Sequence, residues 1–208
     1  METINKNELT EDELRDKYNS WWDSRDTDTF DLHTRALELE AIFFHDLMLK
    51  SPELADYTAA YGGDGGIYDC ADDLSLSLEG NQYTYHVQEL EDCGGMCNGY
   101  DRSITISREC LFDDNTLIHE MIHAHENILD KKLPFMKEII FLELYRKLLK
   151  ENIDIDNRIK SHANLLSGID ISLRGGSHSV FFLLKSLEID IRRNLKLGTT
   201  CGYGRELD

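Results

Sequence analysis

The apolar residues of this chain keep a helical period over most of its length and a period of two only between residues 74 and 107. A short island of alternation between helical segments admits few folds. Leu74, Leu76 and Leu78 alternate with polar residues, "EGNQ" follows as a turn, and Tyr83, Tyr85 and Val87 alternate again. This pattern predicts a β-hairpin with one buried face. "CGGMCNGYDR" reads as a loop and "SITIS", residues 103–107, as a short β-branched strand. Before the island, Thr10 and Glu13 form a capping-box pattern, with Leu9 and Leu14 as its hydrophobic staple. A helix is expected from Asp31 to Lys50, stopped by Pro52, and "YGGDGG" at 61–66 is a loop. After the island, helices are expected over roughly 116–131, 135–151, 155–166 and 178–195. The order predicts an α+β fold: N-terminal helices, a small antiparallel sheet and C-terminal helices. At 208 residues the chain is read as one domain, 1–208.

Forty Asp and Glu against 22 Lys and Arg give a formal net charge of -18. Such a field repels polyanions, which argues against nucleic acid or an anionic membrane as partner. No apolar run is long enough to cross a bilayer, and the N-terminus is acidic and polar rather than signal-like. Five cysteines, an odd count at irregular spacing, suit a reducing compartment, so a cytoplasmic protein is expected. Cys93 and Cys97 lack the spacing of a zinc knuckle and read as loop thiols. The C-terminal "GTTCGYGRE" reads as a packed tail; were it beside a cleft, Tyr203 or Arg205 would be the residues to meet an oxyanion.

The densest chemistry lies in "NTLIHEMIHAHENILDKK", residues 115–132. His119-Glu120-Met121-Ile122-His123 is an HExxH motif. On a helix, residues four apart share a face, so both imidazoles reach one Zn²⁺ at about 2.0–2.1 Å. Glu120 projects about 100° away, where it can contact a water on the metal without ligating it, as a general base does. Asn115 or Thr116 is the expected cap, and the apolar residues around the motif imply a buried helix. His125 is about 240° from His119 and is expected to face elsewhere, at the surface or behind the ligands. Glu126 returns to the ligand face and suits support of a ligand.

The third ligand has three candidates. His178, in "GGSHSVFF", stands at the start of a helix that Ser177 can cap; it ranks first. Glu143 comes next, on a helix that can double back on the motif. Glu138 is third; it falls on an apolar stripe with Phe141, Leu142, Tyr145 and Leu149, where a buried carboxylate needs a partner.

"SITISRECLFDDNTLIHEMIHAH" resembles the heart of the zincin metallopeptidases, and most closely the SprT-like group. The likeness spans roughly residues 103–125. It implies a zincin-like fold, one zinc ion held by His119 and His123, Glu120 as base, and an edge strand at Ile104–Ser107 that pairs with an extended protein or peptide substrate. His178 with Phe181 is similar to the group's later H-G-x-x-F element, which carries the third histidine. Here 55 residues separate it from His123, Ser179 stands in place of the glycine, and the group's cysteine-rich ribbon is missing. The expected activity is zinc-dependent hydrolysis of peptide bonds. The alternatives are a non-catalytic, zinc-stabilised helical domain acting in protein–protein interaction, and a metal-free helical interaction domain.

Overall fold

A computed structural model describes residues 9–45, 76–91, 93–132, 134–159 and 178–202. Within them the fold is mixed α+β: helices α1 (Glu11–Ser24) and α2 (Thr27–Phe43), strands β1 (Thr84–Gln88), β2 (Gly95–Asn98) and β3 (Ser103–Ser107), then helices α3 (Asp114–Lys132), α4 (Pro134–Lys150) and α5 (Val180–Arg192). A further short helical segment covers 155–159. The expected stop at Pro52, the 61–66 loop and the end of the 155–166 helix lie outside the described residues, as do Leu74, Tyr203 and Arg205.

The capping box is present. Thr10 Oγ1 accepts from the Glu13 N–H at 3.3 Å, and the Glu13 carboxylate accepts from the Thr10 N–H at 2.7 Å. α2 begins four residues earlier than expected because Asp26 caps it, accepting from the Thr29 N–H at 2.8 Å. Proline opens α4, where its missing N–H costs no hydrogen bond.

Among the described residues the expected hairpin over 74–87 is not present. Residues 77–82 make a turn instead, held by the Leu78 N–H donating to buried Glu40 of α2 at 2.7 Å and by left-handed Gln82. β1 then pairs in parallel with β3, Thr84 opposite Ser103 through Gln88 opposite Ser107. The hairpin lies one segment later. "GMCN", read as loop, is β2, and it pairs antiparallel with β3, Gly95 opposite Ile106. The sheet is therefore mixed, in the order β1-β3-β2, rather than antiparallel. β3 is its fully buried centre, so Ile104–Ser107 is not the edge strand expected; β1 and β2 are the edges.

At the β1 edge, Trp21 of α1 donates its indole N–H to the Tyr85 carbonyl at 2.8 Å. That contact covers an otherwise open strand edge. α3 runs through the middle of the molecule, packed against β2, β3, α2, α4 and α5. Its Leu117, Ile118, Met121, Ile122, Ala124, Ile128 and Leu129 are buried. α5 is buried at every position from Val180 to Asp190. Among the described residues, no helix is long and apolar enough to cross a membrane.

Candidate metal centre

α3 is capped two residues before the nearer expected position: Asp113, not Asn115 or Thr116, accepts from the Asn115 N–H at 3.0 Å. An intact helical turn then places His119 over His123, with ring centroids 5.1 Å apart. His178 completes a near-equilateral triangle, 5.1 Å from His119 and 5.2 Å from His123. One ligand nitrogen from each of the three lies within 4.8 Å of the others, and each residue is half-buried. His178 Nε2 stands 3.1 Å from His119 Nε2, close to the ~3.3 Å between two nitrogens on one tetrahedral zinc. Among the described residues, no fourth His, Cys, Asp or Glu joins the group.

The rings have a common floor. Buried Phe182 stacks on His123 at 4.4 Å and lies 4.8 Å from His119 and 4.7 Å from His178. Phe181, the aromatic singled out in the sequence, points instead toward Lys137. Burial and the neighbouring imidazoles of His119 and His178 push the pKa of His123 down to about 2. Burial also lowers that of His119, against the opposing effect of its bond to the Thr200 carbonyl. Neutral imidazoles are what a cation needs as ligands. Three convergent imidazole nitrogens, with no fourth His, Cys, Asp or Glu among the described residues, fit a zinc ion.

His119 Nδ1 lies 3.0 Å from the Thr200 carbonyl oxygen. A carbonyl only accepts, so Nδ1 carries the proton and Nε2 presents its lone pair toward His178. Glu120 projects to the other side, under β2, and is 6% exposed. Burial raises its carboxyl pKa to about 7, although the Cys97 backbone N–H donates to it.

His178 is held from behind. Ser179, not Ser177, caps α5, accepting from the Phe182 N–H at 3.1 Å. Ser179 Oγ donates in turn to the buried Glu126 carboxylate, which pairs with Lys137 Nζ at 2.7 Å. Burial raises the Glu126 pKa against the pull of Lys137 and Ser179. Glu126 thus braces the residue next to His178, in the supporting position its spacing predicts.

The other candidates stand apart. Glu143 and Glu138 are exposed. The buried face of α4 is Lys137, Ile140, Leu144 and Leu148, one position out of phase with the stripe read from sequence, and this turns Glu138 outward. His125 does face away from the triad, but it is buried rather than superficial: it stacks on Phe44 at 4.6 Å and lies 3.0 Å from Glu40. Cys93 is exposed beside β2, and Cys97 lies within β2. Phe182, Ser179 and Thr200 carried no signal in the sequence, because their parts depend on which distant segments meet. Comparison of the chain with protein-family models, with curated proteins and with solved structures finds no match.

Proposed function

We propose that this chain is a zinc-dependent peptidase of the zincin type, with His119, His123 and His178 as ligands and Glu120 as general base. The observation that carries the reading is the convergence of three imidazoles, with a buried carboxyl at the helical position that follows the first of them. The resemblance of residues 103–125 to the SprT-like group points the same way.

Held by His119, His123 and His178, a zinc ion would supply Lewis acidity toward a scissile carbonyl and would lower the pKa of water toward about 7. Glu120 takes the proton as water adds to the carbonyl carbon, then returns it to the amine nitrogen as the C–N bond breaks. A carboxyl with a pKa near 7 serves both transfers at neutral pH. The Cys97 N–H holds that carboxylate in place. β2 is the strand nearest Glu120, and an extended peptide adding to this sheet edge runs beside the base.

Glu120→Gln tests the reading: it is expected to keep stoichiometric zinc and to lose peptide hydrolysis by at least ~100-fold. Full hydrolysis in that variant sinks the mechanism; purified protein without zinc sinks the metal. One observation favours a second reading, in which zinc only ties α3 to the start of α5. Glu120 is covered by Gly95, where a Cβ would lie 2.8 Å from its Cγ. Zinc-dependent melting with no hydrolysis of any peptide library selects that alternative.

A further inference from the structure

Asp190 sits near the end of α5 with no solvent exposure. A buried carboxylate requires compensation, and here it comes from one short loop. Oδ2 accepts from the Gly198 N–H at 2.7 Å; Oδ1 accepts from the Thr200 N–H at 3.0 Å and from Thr200 Oγ1 at 2.6 Å. The turn that brings this loop back is built into the helix end. Asn194 takes a left-handed conformation at φ 54, its N–H donates to the Ile191 carbonyl, and the Leu195 N–H donates to that of Asp190. These are the two bonds of a Schellman motif, which reverses the chain along its own helix. Gly198, at φ 93, then opens the stretch that wraps the carboxylate.

The loop ends on the site. The Thr200 carbonyl accepts from His119 Nδ1 at 3.0 Å, across 81 residues of sequence. The geometry points to Asp190 as a positioning residue of the metal centre. Through the 198–200 loop it clamps the Thr200 carbonyl on His119 Nδ1 and so fixes the tautomer that aims the Nε2 lone pair at the metal. This rests on the zinc reading of the triad. Outer partners of this kind set the tautomer, ring angle and basicity of a ligating histidine. α5 then serves two ligands, presenting His178 just before its first turn and steering His119 from its last.

Two measurements on Asp190→Asn and Thr200→Val decide it. The first is the ring ¹⁵N shifts of His119 in metal-free protein, assigned with His119→Gln. The second is zinc affinity by competition with a chromophoric chelator. Asp190→Asn places an amide N–H against the loop's donors; Thr200→Val removes only the 2.6 Å side-chain bond. Leu14→Ala, on the buried face of α1, is the control for lost stability.

In Asp190→Asn, His119 is expected to lose its single Nδ1–H form and zinc to bind about 10–100-fold more weakly. Thr200→Val moves the same way by less, and Leu14→Ala moves neither readout. Wild-type nitrogen shifts and affinity in both site variants overturn the proposal and leave Asp190 a loop clasp. Should Asp190→Asn not fold, Thr200→Val alone decides by the same criterion. A wild-type protein that binds no zinc defeats the metal reading, whereas unchanged nitrogen shifts in the variants defeat the role of Asp190.

Discussion

At Gly95 a Cβ would lie 2.8 Å from Glu120 Cγ and 3.0 Å from Thr116 Cγ2, so β2 meets α3 where only a hydrogen fits. At Gly99 it would meet the Asn127 amide at 2.6 Å. Gly95→Ala is expected to cost about 1–3 kcal/mol of stability, read by urea denaturation. It should also reduce any hydrolytic activity, because the strand and Glu120 must move apart. His33 makes a separate case. It is buried between Trp21, Trp22 and Tyr85, and burial, with nearby Arg25 adding to it, holds its pKa below the usual imidazole value. A depressed folded pKa means stability that is present above about pH 6.5 and is lost as pH falls toward the folded value. His33→Phe should therefore flatten part of the loss that sets in below about pH 6.5, measured as denaturation midpoints against wild type. An unchanged slope would show that His33 protonates as freely folded as unfolded.

Among the elements, the start of α5 bears the most. Ser179 caps the helix and also donates to Glu126, so Ser179→Ala should cost the cap, about 1 kcal/mol, and leave a buried carboxylate short of a donor. Lower zinc affinity with unaltered His119 nitrogens would separate this brace from the one at Asp190. The same element marks the limit of what sequence discloses. The HExxH face was legible because two histidines four apart share a face by helical geometry alone. His178 was legible as a candidate, through its place before a helix, but not its partners or the correct cap. The 74–87 alternation correctly placed β1 yet could not name its neighbour, since period two is the same for parallel and antiparallel pairing. β2 was missed because Gly95 and Asn98 are poor strand formers. Gly95 is required here because α3 approaches the backbone so closely.

For the whole molecule, the net charge of -18 is a standing self-repulsion. Raising salt from ~20 to ~200 mM shortens the screening length from roughly 20 to 7 Å and should raise Tm by a few degrees. Metal should act more strongly. Free zinc at about a hundred times its Kd adds about 2.7 kcal/mol, so a chelator should lower the Tm of purified protein and added zinc restore it. An unmoved Tm would argue that no metal links α3 to α5. Both tryptophans of the chain lie in α1: Trp21 is buried on the Tyr85 carbonyl, while Trp22 lies at the surface under Arg25. Intrinsic fluorescence is therefore an optical probe of α1 leaving the β1 edge, since neither tryptophan lies on the helices that carry His119, His123 and His178. A fluorescence melt that coincides with the loss of helical circular dichroism would mean that this outer helix unfolds with α3 and α5 as one cooperative unit.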